Sequence, residues 1–183
     1  MKIPVRNICL IAVLTAASIG SNYALIGLPN IKLMDLIVFV TGLRFGVIVG
    51  ASTGILTWMV YGALNPFGFS FPIWVATMTG EATFGIVGGF LSKNASGEIR
   101  GFSLHSNYNL ETALWGFILT FAYDLFTNIV YAATFGVPIF FALATGWLVP
   151  PWFGILHEGS NTILFLLATN PLIRTINSIK GGE

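Results

Sequence analysis

Charge is what this sequence has least of. Asp, Glu, Lys and Arg make up 8% of its 183 residues and hydrophobic residues 55%, too little charge to clothe a water-soluble globule, so the chain reads as an integral membrane protein. The net charge is +1, and no run of Lys or Arg is long enough to track a phosphate backbone, which argues against a nucleic-acid partner. The only cysteine is Cys9, so neither a disulfide within the chain nor a cysteine metal site can form. No glycine-rich phosphate loop with a following Lys is present, and the chain cannot use ATP by itself. His157-Glu158 begins a zinc-protease string, but HEGSN places Asn161 where the second histidine belongs, so neither metal nor cofactor is expected. GASTG, Gly50 to Gly54, has the spacing of a nucleophile elbow around Ser52. That motif needs a strand turning into a helix, and here it lies in an apolar helical run; no enzymatic activity is expected.

What the chain does have is long apolar runs: Asn7 to Ile26, Leu33 to Gly62, Ile73 to Leu91, Leu110 to Phe135 and Pro151 to Ile173. The start shares a basic head and apolar stretch with secretory signal peptides, but the stretch continues to Ile26, which favours a retained first helix. The second run is too long for one span: about thirty residues make about 45 Å of helix against a hydrocarbon core of about 30 Å. Arg44 sits inside it between Gly42 and Gly46, so two short helices meeting there are expected. Six helices with both termini cytoplasmic put Lys2, Arg6, Arg44, Lys93, Arg100, Arg174 and Lys180 inside and Lys32 alone outside, as the positive-inside rule requires. The expectation is therefore an all-α membrane protein, residues 1–183 forming one six-transmembrane-helix bundle. A Gly- and Pro-punctuated segment before helix six, too short to span, caps its outer face. The polar loop from Ser92 to Asn109 lies on the cytoplasmic side, where its Asn94 sequon has no meaning.

Two small-residue stripes recur at four-residue spacing: Ala12, Ala16, Gly20 and Ala24 on the first helix, and Gly42, Gly46, Gly50 and Gly54 on the second and third. Such stripes let backbones approach closely in lipid. The glycines are read as packing inside the bundle, the first-helix stripe as a docking face for another membrane subunit.

Ionisable groups at membrane depth cost about 2.5–3.5 kcal/mol each even on lenient scales and face cavities or partners. Asp124, Asn128 and Tyr131 share one face of helix five, His157 and Asn161 one face of helix six, and Trp74, Met78 and Glu81 one face of helix four. With Glu158, with Trp58 and Tyr61 at the end of helix three, and with Trp147 and Trp152 in the cap, they are expected to converge on one aromatic-walled polar pocket open to the outside. Asp124 has an alternative role as a structural hydrogen bonder between helices, and the tryptophans as interfacial anchors.

Over nearly its whole length this arrangement resembles the S component of energy-coupling factor (ECF) vitamin transporters. The resemblance rests on the six-span size, Ala12 and Ala16, MDLIVFVTGLRFGVIVG as helices two and three, YDLFTN on helix five and LHEGSNTILFLLATNPLIR in helix six. It implies a multi-pass subunit of the prokaryotic plasma membrane, without catalytic activity, that binds a vitamin or cofactor precursor at its outer side. It also implies partners: a transmembrane coupling subunit carrying two cytoplasmic ATPases. A flat heterocycle offering hydrogen-bond donors suits Glu81, Glu158, Asn128 and Asn161 between aromatic walls. The competing reading is a small self-sufficient channel or proton-coupled carrier with Glu81, Asp124 and His157 as a relay.

Overall fold

The computed structural model describes residues 4–65, 68–92, 107–150 and 152–180. Among them the chain is helical, without strands: α1 (Val5–Ala24), α2 (Met34–Phe45), α3 (Val47–Ala63), α4 (Phe71–Leu91), α5 (Asn107–Phe135), α6 (Ile139–Leu148) and α7 (Phe153–Lys180). Lys93, Arg100 and the Asn94 sequon of the expected cytoplasmic loop lie outside the described residues.

By length and composition α1 and α5 are able to cross a membrane, and α6 with α7 makes a third span if the bent pair counts as one. The exterior agrees with lipid as its solvent. Val13, Leu114 and Phe140 stand exposed, while Asp35, Glu81, His157 and Asn161 are buried, the reverse of a water-soluble surface.

The long apolar run does divide beside Arg44. Gly46 has φ +90°, where a side chain would be strained, and Arg44 lies in the last turn of α2, its guanidinium donating to Asn177 Oδ1 of α7. At 12 residues, α2 is about 18 Å long. It packs against α1, α3, α4 and α7, which bury Leu36, Val38, Phe39, Val40 and Leu43, so it needs no polar stripe. Phe39 meets Phe165 of α7 with ring centroids 5.0 Å apart, and Phe84 of α4 closes the same cluster.

Three of the four striped glycines pack inside the bundle. A Cβ on Gly54 would lie 2.8 Å from the Glu81 carbonyl oxygen, and one on Gly50 would lie 2.7 Å from that of Gly85, so α3 and α4 touch backbone to backbone. Gly46 differs from the expectation: nothing lies within 4 Å of its Cβ position, and its role is the break itself. On α1 the inward face is Ile11, Thr15, Ser18 and Asn22, at helical spacing, which turns Ala12, Ala16 and Gly20 outward into the exposed surface.

Candidate functional site

The polar residues gather in three neighbouring groups rather than the single hollow expected from their spacing. The first is a closed network through the middle of the bundle. Asp35, in the first turn of α2, accepts from His157 Nε2 at 2.7 Å and from Asn161 Nδ2 at 2.6 Å, the two side chains that α7 presents at i, i+4. The other imidazole nitrogen faces Asp124 Oδ1 of α5 at 2.9 Å, and Asn161 Nδ2 also reaches Thr120 Oγ1 at 2.8 Å. Ionised carboxylates only accept, so an imidazole held between two of them is satisfied by donating from both nitrogens, as the imidazolium. The network ties α2, α5 and α7 together, and none of its side chains is among those lining the cavity at the end of the bundle.

The second group is the cavity, of about 420 Å³, at the end of the bundle where α1 and α3 finish and α2 and α7 begin. Asn22 comes from α1, Ile26 and Lys32 from the α1–α2 connection, and Trp58 and Tyr61 from α3. Asn30 helps to close it: held at φ +54°, a conformation Asn tolerates, it donates from Nδ2 to the Phe153 carbonyl at 2.8 Å and so fastens the connection to the start of α7. Tyr61 stands edge-on between Tyr23 and Trp58, with centroids 5.4 and 5.3 Å away. Trp58 lines the cavity and donates from Nε1 to Glu81 Oε2 behind it at 3.1 Å. The Lys32 ammonium lies 5.4 Å from the Trp58 ring centroid and 5.6 Å from that of Tyr123, in cation–π range of both.

The third group is a seam where α6 folds against α5 and α7. Trp147 Nε1 donates to Glu158 Oε1 at 2.5 Å, and Asn128 donates to the Asp124 carbonyl at 2.7 Å while its amide oxygen abuts Gly146.

Of the ten residues the sequence assigned to substrate, Trp58 therefore reaches the cavity wall. Glu81, His157 and Asn161 lie buried beyond it, and Asn128, Trp147 and Glu158 make the seam. Trp74 donates to the Trp58 and Met59 carbonyls at 3.1 and 3.2 Å, locking the start of α4 to the end of α3. Tyr131 packs on Phe135 at the exposed surface, and Trp152, in the left-handed region at φ +57°, is exposed as well. Helical spacing places residues on a face but does not say how far each face turns, which is why i, i+4 and i+7 sets on different helices met in different places. Ser52 lies within α3, so the elbow spacing around it has no strand-to-helix turn.

Sequence reasoning passed over Asp35, Lys32, Asn22 and Tyr123. The signals for two of them were in view: an acid set directly against the apolar run LIVFV, and the lone cation of the side expected to face outward. No family model matches this chain, and neither the curated proteins nor the solved structures contain a match to it.

Proposed function

We propose that this chain is a six-span substrate-capture subunit of a prokaryotic plasma membrane. It binds a vitamin-like small molecule at its outer side and passes it inward with a transmembrane coupling subunit and two cytoplasmic ATPases, as an ECF S component does. The observation that carries the reading is the cavity of about 420 Å³ walled by Trp58, Tyr61 and Asn22, within the range of small-molecule sites and closed over by a connection that Asn30 fastens to α7. Two further features support it. Ala12, Ala16 and Gly20 leave a smooth strip on the outside of α1 for a partner helix, and the buried lock of α2, α5 and α7 supplies a rigid base under a roof made of short connections.

Native mass spectrometry of the gently extracted protein tests the proposal. The expected result is one small molecule per chain, lost in Trp58→Ala, with uptake in cells only when a coupling module is present. Persistent absence of any retained or added ligand refutes it.

A second reading has an observation of its own, the carboxylate–imidazole–carboxylate chain of Asp35, His157 and Asp124. In a self-sufficient proton-driven carrier that chain moves a proton. Proteoliposomes holding this protein alone would then take up solute on a pH gradient, and His157→Gln would stop it.

A further inference from the structure

We propose that the molecule captured in this cavity carries an anionic group, a carboxylate or its equivalent, and that Lys32 is the residue that holds it. The inference rests on the capture reading and names the class of its ligand.

The cavity wall is chemically one-sided. Its polar groups are the amides of Asn22, Asn30 and Asn65, the phenol of Tyr61 and the ammonium of Lys32, and among the described residues no acid lines it. Glu81 and Glu158, which the sequence suggested as acceptors for a donor-rich heterocycle, do not reach it. Glu81 is fully buried behind the Trp58 indole, and Glu158 is bound to Trp147 at the α6 seam.

Among the described residues Lys32 makes no ion pair within 4 Å and no hydrogen bond; the buried carboxylates of Asp35 and Glu81 act on it only at longer range. An ammonium has three donors and no acceptor, and a ring face satisfies charge without satisfying any of them. A second side chain waits in the same state: Asn22 is 4% exposed, lines the cavity, and makes no hydrogen bond among the described residues. An anion beside Lys32 gives the ammonium a charge-assisted bond and leaves the Asn22 amide for a neighbouring polar atom of the same ligand. The apolar remainder of the wall, Ile26 and Phe153 among it, fits a hydrocarbon or ring body.

The arrangement also argues against a cationic ligand. In an aromatic pocket a cation settles over a ring face, and here the Trp58 face is already taken by Lys32, whose charge repels a second one.

The test uses the full-length chain in detergent with two readouts. The first is the identity, by mass, of small molecules released from the purified wild type. The second is equilibrium binding of matched probes: nicotinate against nicotinamide, indole-3-butyrate against its amide, and benzyltrimethylammonium as the cation. The expected result is a retained acid, acids bound over their amides, no binding of the cation, and affinity for the acid weakened about tenfold to a hundredfold in Lys32→Met. Lys32→Arg retains most of the binding, and a cooperative unfolding transition in each variant verifies that it is folded. A retained ligand that is neutral or cationic, or acid binding unchanged in a folded Lys32→Met protein, overturns this inference and leaves the capture reading standing. No retained molecule and no response to any probe overturns both.

Discussion

Removing His157 should unlock the bundle. Its imidazole is 1% exposed and holds Asp35 at 2.7 Å on one side and Asp124 at 2.9 Å on the other. In His157→Ala, Asp35 keeps its contact with Asn161 at 2.6 Å, but two carboxylates on different helices lose the cation between them. Stripping one partner from a buried ion pair costs about 3–5 kcal/mol, because the charge left behind has neither water nor counterion. For a domain of this size each kcal/mol lowers the midpoint by about 2–4 °C, so the apparent Tm in detergent should fall by about 6 °C or more. Adding Asp35→Asn removes one stranded charge while its amide oxygen still accepts from Asn161, so the double variant should regain part of the loss. Fluorescence-detected size exclusion after heating reads both effects. A fall below about 2 °C for His157→Ala, or a double variant with the two losses simply added, would refute the idea that this imidazole bridges paired charges.

Further expectations follow from single contacts. Gly54→Val should destabilise the α3–α4 pair by about 1–3 kcal/mol by overpacking, since its Cβ already meets the Glu81 carbonyl oxygen at 2.8 Å; the same melting assay reads it. Gly20→Leu, with nothing within 4 Å, should leave the Tm within about 2 °C but abolish co-purification of a coupling subunit; unaltered co-purification would remove α1 as the docking face. Trp58→Phe keeps the ring but strands Glu81 Oε2 without its indole donor at 3.1 Å, a loss of about 1–3 kcal/mol readable as a lower Tm. Asn30→Gly keeps the left-handed backbone but deletes the bond to the Phe153 carbonyl, so retained ligand should dissociate faster with little change in Tm.

How much of this was legible in the residues depends on the scale of the question. Membrane character, the helices and the break beside Arg44 followed from composition, run length and a charge flanked by glycines, because each is set by local chemistry. The inward packing of Gly42, Gly50 and Gly54 was legible too, since in lipid a repeated missing Cβ has few other uses. The site was harder. That His157 and Asn161 share a face could be read from spacing, but their partner Asp35 stands more than a hundred residues earlier, and no periodicity links the two. Lys32 was visible as a lone charge, yet its place over Trp58 and Tyr123 depends on how a connection outside any helix folds back over the bundle. Glu158 and Trp147, expected to face a ligand, satisfy each other instead.

The central claim is that a solute from outside the cell occupies the space above Trp58. Leu28 is exposed and lines that space, so Leu28→Cys in a Cys9→Ser background places one thiol at its mouth. On intact expressing cells a membrane-impermeant maleimide should label this thiol, and the small molecule recovered from the wild type should slow the labelling. Labelling that requires permeabilised cells, or that proceeds at the same rate with that molecule present, would contradict the account.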